Sequence, residues 1–171
     1  MNRYGGCFAQ HSLVKLADGT HSEIQFLRPG ARVWGGASVV HVVRINYDAV
    51  VPMVAMQGDV GEGVLRQRFS HLNVTNNRVC DSAETAPVLV TPWHPVCIDG
   101  TWTFPCRVAT PSPLYMRCVY NVVLSSGHVV CINGLPFITL GHGSTDPVLA
   151  HAFFGTQVLL RTRACGAEQF H

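Results

Sequence analysis

The sequence predicts an all-β domain, and three observations carry that expectation. Apolar residues fall in short runs of strand length. The runs are separated by Gly, Asn, Asp and Pro turn signals, and helical periodicity is weak throughout. Apolar residues make up 47% of the 171 positions and charged residues only 13%, so the chain can bury one core and is neither a disordered tail nor a charged solubility module.

The elements follow in order. Leu13, Val14 and Leu16 form an apolar run and Asp18-Gly19 a tight turn, so Ser12–Leu16 and the residues after Thr20 predict a hairpin. Ser22–Leu27 can make one helical turn, and Arg28-Pro29-Gly30 turns the chain before Ala31–Trp34. Val-rich Ser38–Ile45 is a strand candidate. So are Val50–Met56, Gly63–Phe69, Val88–Thr91, Val96–Ile98, Trp102–Phe104, Met116–Leu124 and His128–Ile132. Ser125-Ser126-Gly127 and Asn133-Gly134 punctuate the last of these. Polar Asn73–Pro87 reads as a surface loop. Asp146 as cap and Pro147 at the first helical position mark a helix start over Asp146–Ala152. Many short strands at close spacing argue against βαβ units.

Charge and cysteines narrow the function. The formal net charge is +2 and Lys and Arg form no run, so no nucleic-acid partner is expected. The longest apolar stretches, such as Val129–Ile132, are far too short to span a membrane. Met1–Gly6 has no apolar core, so no signal peptide is expected, although the compartment is not read from it. A cytoplasmic location and a monomer are the favoured expectations. The seven cysteines are an odd number, include no Cys-x-x-Cys, and together with nine scattered histidines predict neither a metal site nor a cofactor. The odd count also weighs against a secreted, disulfide-bonded domain.

Gly5-Gly6-Cys7-Phe8 and Thr91-Pro92-Trp93-His94 carry chemistry. A cysteine thiol can reach the carbonyl carbon of the residue before it and close a five-membered ring, turning the Gly6–Cys7 amide into a thioester. The step needs a fold that holds the bond, stabilises the oxyanion and protonates the departing nitrogen. Gly5 and Gly6 permit unusual backbone angles there. His94, with an ordinary pKa near 6.5, can supply the proton, and the Thr91 hydroxyl can hold the amide or the oxyanion. Cys7 also reads as a buried small apolar thiol, and His94 as a satisfied histidine in a turn.

The order of these segments resembles the Hint family, shared by Hedgehog autoprocessing domains and inteins. Cys7-Phe8, Leu13–Thr20 and Ile24-x-x-Leu27-x-Pro29-Gly30-x-x-Val33 resemble its opening. Val90–Pro95 resembles its Thr-x-x-His block, and Val119–Leu124, Gly127-His128 and Val130-x-x-Asn133-Gly134 its late block. Thr139–Gly143 falls at its final block. Trp93-His94-Pro95, Gly100-x-Trp102-x-Phe104-Pro105-Cys106 and Ala150–Thr156 resemble the Vint subgroup, Hint-like domains found with von Willebrand A domains.

The resemblance implies a twisted, horseshoe-like all-β fold with pseudo-twofold halves. It divides the chain into a remnant of an upstream segment at 1–6, a Hint-like domain at 7–143 and an extension at 144–171 packed on the core. Carried over, Cys7 is the nucleophile at the Gly6–Cys7 scissile bond, His94 with Thr91 polarises and protonates that amide, and His128 and His142 join as late-block residues. The substrate is then a covalently linked upstream domain, of von Willebrand A type by the same resemblance. The thioester is resolved by water or a small nucleophile. His142 is followed by Gly143, where splicing inteins carry an Asn that cyclises, so complete splicing is not expected. Transfer to a lipid alcohol, as in Hedgehog domains, and an inactive Hint scaffold are the alternatives. Asp48 lies only in the general region of the Hedgehog acid.

Overall fold

The computed structural model describes residues 6–57 and 87–150. Ten strands, one short helix and one 3-10 turn build two sheets in that span. The strands are β1 (Phe8–Ala9), β2 (Leu13–Lys15), β3 (His21–Glu23), β4 (Val39–Met56), β5 (Val88–Val90), β6 (Val96–Ile98), β7 (Thr101–Thr103), β8 (Ser112–Leu124), β9 (Val129–Ile132) and β10 (Leu135–Ile138). The 3-10 turn is Ile24–Phe26, and the helix α1 is Pro105–Val108. Strands β1, β5, β4 and β8 close into a barrel, while the other six form a sheet in the order β3-β2-β9-β10-β6-β7. Among the described residues no helix is long and apolar enough to cross a membrane.

Local sequence explains most of the joints. The predicted β2–β3 hairpin forms, with Lys15 opposite His21; Gly19 takes a positive φ of 89° and Asp18 Oδ1 accepts the Thr20 N–H at 2.9 Å. Two further hairpins use two-residue loops, Asp99-Gly100 between β6 and β7 and Asn133-Gly134 between β9 and β10. All four loop residues have positive φ, the requirement of the type I′ turn that matches strand twist.

The structure departs from the sequence expectations in a few places. Ser38–Ile45 and Val50–Met56 are parts of one strand, β4, because the polar stretch between them is a bulge and not a turn. The register against β8 shifts between Asn46 and Ala49, and Asp48 takes φ 51° there. Strand β8 begins at Ser112, earlier than Met116, with Pro113 facing Pro52. Strands β1 and β10 and helix α1 were not expected. Asp146 does cap a turn, accepting the Val148 N–H on Oδ1 at 2.8 Å and the Leu149 N–H on its carbonyl; residues 146–150 form that turn and no helix, and the rest of the expected helix, 151–152, lies outside the described residues. The Gly63–Phe69 candidate, the Asn73–Pro87 loop up to residue 86, the ends of the chain at 1–5 and 151–171, Cys80 and Cys165 lie outside the described residues.

The main core joins both sheets. Phe8, Val54, Val90, Tyr120 and Val122 of the barrel pack with Val14, Val96, Val130, Ile132 and Phe137 of the other sheet. A smaller cluster of Val43, Val123, Ile138, Leu140 and Leu149 lies beside it. Each core valine or isoleucine removed from water contributes roughly 1.5–3 kcal/mol. Within this core the polar side chains of Thr91, His94, Asn121 and Thr139 are fully buried. Such burial costs stability unless partners are supplied, which directs attention to what those four touch.

Candidate functional site

Strand β1 is only two residues long, yet it closes the barrel from both sides. Phe8 pairs with Val90 of β5 and with Tyr120 of β8. That pairing sets Cys7 directly beside Thr91 and Asn121, one residue further along each neighbour. The Thr91 N–H donates to the Cys7 carbonyl at 2.9 Å, and the Cys7 N–H donates to Thr91 Oγ1 at 2.9 Å. The N–H in the second bond is that of the Gly6–Cys7 amide. Its carbonyl is held from the opposite side, where Asn121 Nδ2 donates to the Gly6 oxygen at 2.5 Å. Cys7, Thr91 and Asn121 are all fully buried.

The turn Thr91-Pro92-Trp93-His94 carries the next group. The His94 N–H returns to the Thr91 carbonyl at 3.2 Å, and Pro92 at the second position supplies the φ that such a turn needs. Helix α1 begins with Pro105 at its first position, and the Cys106 N–H donates to the Pro92 carbonyl at 3.1 Å. Outside, Trp93 packs edge-on to Phe104, 5.2 Å between centroids. The turn is thus clamped from both faces and swings the His94 ring back over Phe8, 4.2 Å between centroids. Phe137 packs at right angles to both rings, 4.9 Å from Phe8 and 5.5 Å from His94.

His94 Nε2 lies 2.8 Å from the Ile138 carbonyl. A carbonyl only accepts, so Nε2 carries the hydrogen and the basic lone pair is on Nδ1. Complete burial pushes the pKa down to about 3, outweighing the hydrogen bond to the Ile138 carbonyl, which acts in the other direction. This corrects the expectation of an ordinary imidazole that is part-charged near neutral pH: the resting ring is neutral, because water is replaced by two phenyl rings.

His128 and His142 form a separate pair at the far end of β10. His128 sits in the left-handed region at φ 50°, and its carbonyl accepts the Thr139 N–H at 2.8 Å. His142 Nδ1 accepts the Ser144 N–H at 2.8 Å. Burial lowers the pKa of both rings, and for His142 the nearby His128 adds to the effect while a hydrogen bond to the Leu149 carbonyl opposes it. The link from this pair to the Gly6–Cys7 bond runs through backbone. The Leu140 N–H donates to the Val122 carbonyl at 3.1 Å, next to Asn121, and the Ile138 carbonyl holds His94. Thr139, between them, has a buried hydroxyl with no hydrogen-bond partner among the described residues.

The structure therefore brings Gly6, Cys7, Thr91 and His94 together and sets His128 and His142 against each other. Sequence reasoning gave Asn121 no role, although a signal was present. It is the one polar side chain in the buried run Cys118–Leu124, and its neighbours on both sides are apolar or aromatic. Asp48 is at the exposed bulge of β4, where it accepts the Tyr115 hydroxyl. No disulfide joins any two of the described cysteines, and no group of three or more His, Cys, Asp or Glu among the described residues is arranged to hold a metal ion.

Comparison with known proteins agrees with this fold. The family model Vint, a Hint domain, matches residues 6–165. No curated protein matches the chain. Among solved structures the fold is similar to the gp41-1 intein, at 11% identity over 80% of this chain and 100% of that one, with a TM-score of 0.50. It is also similar to a DnaB intein from Synechocystis sp. PCC 6803, at 12% identity over 78% of this chain and 98% of that one, with a TM-score of 0.52. Identities this low speak to the fold alone.

Proposed function

Because the chain belongs to the Vint family of Hint domains and has the fold of inteins, we propose that it is a single-turnover self-processing domain. Its reaction is an N-to-S acyl shift at Gly6–Cys7. The Cys7 sulfur attacks the Gly6 carbonyl carbon, and the C–N bond breaks. The upstream segment is left as a thioester, which water, a thiol or another small nucleophile then releases. Residues 1–6 are on this reading the end of that leaving segment, and the domain proper starts at Cys7.

The observation that carries the reading is the grip on one buried peptide bond. The amide immediately before a buried cysteine is held at its N–H by Thr91 and at its C=O by Asn121. Any buried amide needs partners; this one takes both of them from side chains, a threonine hydroxyl and an asparagine amide, instead of from backbone. Holding the amide plane fixes the approach of the sulfur to the carbonyl carbon, which lowers the entropic part of the barrier. His94, neutral with its lone pair on Nδ1, first accepts the thiol proton and then delivers it to the Cys7 nitrogen as the C–N bond breaks. The amide N–H is retained, so the nitrogen leaves as a neutral amine. This cycle needs no charged histidine in the resting state, in keeping with the depressed pKa. The His128 carbonyl holds the Thr139 N–H, within the segment 138–140 that anchors His94.

The test is a fusion with a small folded protein ahead of Gly5, incubated at pH 7–8 with and without dithiothreitol and followed by intact mass. The expected result is a thiol-accelerated cut between Gly6 and Cys7 that Cys7→Ala and His94→Ala abolish. A well-folded fusion that stays whole overturns the proposal and leaves a Hint scaffold without chemistry.

A further inference from the structure

We propose that Asn121 is the oxyanion-stabilising residue of this site: its side-chain amide takes up the negative charge that develops on the Gly6 oxygen. The proposal rests on the reading of Gly6–Cys7 as the reacting bond.

The orientation of the amide is forced. Asn121 Oδ1 accepts the Val122 N–H at 2.7 Å, so the other end must be the NH2 group, and that end meets the Gly6 oxygen at 2.5 Å. A flipped amide would set two donors against each other on one side and two acceptors on the other. The residue is also rigidly seated. It lies mid-strand in β8, where Val43 of β4 pairs with it and the adjacent Tyr120 pairs with Phe8 of β1. Its side chain is fully buried, so the donor is fixed before reaction and works where water does not screen it.

Timing of charge makes this contact catalytic rather than merely structural. When the Cys7 sulfur bonds to the Gly6 carbon, the π electron pair of the carbonyl moves onto oxygen. The thiol proton leaves to the site base. The oxygen then bears a full negative charge, and the hydrogen bond from Asn121 strengthens. On collapse the pair re-forms the carbonyl, the C–N bond breaks, and the proton passes to the nitrogen. An interaction stronger in the intermediate than in the amide accelerates the step. Thr91 cannot serve in this way, because its oxygen faces the N–H and not the C=O.

The experiment uses the upstream fusion with Asn121→Ala, Asn121→Leu and Asn121→Asp. Single-turnover cleavage with dithiothreitol should fall about 10²- to 10³-fold in the alanine and leucine variants, the loss seen when one oxyanion donor is removed. N121D can donate only in its protonated form, so its rate relative to the unmutated fusion should rise as the pH is lowered. Cys7 and His94, the titratable groups of the site, are present in both proteins. A second readout needs no turnover. In a Cys7→Ala background with ¹³C at the Gly6 carbonyl, N121A should shift that carbonyl's infrared band to higher frequency as the hydrogen bond is lost. A fusion that is cut at the unmutated rate by N121A and N121L overturns the assignment and leaves self-processing intact. Loss of cleavage in the unmutated fusion overturns both.

Discussion

The buried imidazole makes the folded state sensitive to mild acid, and the size of the effect follows from the structure. His94 has a pKa of about 3 in the folded chain, against 6.5 for an unperturbed ring. The folded state excludes a proton that the unfolded chain binds, so stability is full above pH 6.5 and is lost as the pH falls toward 3. At 1.36 kcal/mol per pKa unit, a difference of 3.5 units is worth about 5 kcal/mol in total and about 2 kcal/mol between pH 7.5 and pH 5. The measurement is urea unfolding at pH 7.5, 6 and 5 in a Cys7→Ala background that keeps the chain whole. The comparison is His94→Gln, whose amide can still donate to the Ile138 carbonyl but does not titrate. The histidine protein should lose about 2 kcal/mol more than the glutamine variant over that interval. His128 and His142 are also depressed by burial and push in the same direction, but they are present in both proteins and cancel. Equal losses in the two proteins would refute the argument, because they would mean that the ring gains a proton without unfolding the chain.

Three further outcomes are expected in the same background. Thr139→Val should raise stability by about 1 kcal/mol, because it removes a buried hydroxyl with no hydrogen-bond partner among the described residues; an unfolding midpoint that drops would show that the hydroxyl is satisfied. Phe137→Ala should cost about 3–5 kcal/mol and move the His94 pKa back toward 6.5, read by the imidazole's NMR titration, since Phe137 is one of the two rings that keep water off it. Asn133→Ala should cost about 1–3 kcal/mol by thermal or urea unfolding, from loss of the bond to the Leu13 N–H at 2.9 Å and of a residue suited to φ 47°.

Much of this was legible in the sequence, for reasons that can be given element by element. Asp18-Gly19 and Asn133-Gly134 advertise their turns because positive φ admits few residue types, and the structure uses both as turns. Cys7, Thr91 and His94 stand out because their side-chain chemistry is unusual beside glycines and prolines. What the sequence hid is mostly a matter of partners. Strand β1 has two residues and no period to detect; it exists because β5 and β8 offer open edges on either side. Strand β4 runs through Asp48 because β8 continues opposite it, and a bulge absorbs the polar stretch. Asn121 sits in a motif that the sequence displays plainly, but the role proposed for it depends on a bond to a residue 115 positions away.

The pKa of His94 shows the same limit in electrostatic terms. A histidine in a turn flanked by prolines reads from the sequence as an ordinary imidazole with a pKa near 6.5. The turn instead folds the ring inward onto Phe8, and α1 closes over Pro92 from outside. On the proposed reading one ring acts in both directions, and burial weights it toward giving its proton up. A charged imidazole would already hold its proton and could not accept the one from Cys7. A neutral ring whose Nε2 is committed to the Ile138 carbonyl has one basic atom and one route by which a proton arrives. The same absence of water makes the resulting imidazolium a strong acid toward the departing nitrogen, so the proton does not stay. The cost appears in the folded state as acid sensitivity, which is why the pH dependence of unfolding and the rate of cleavage report on the same buried ring.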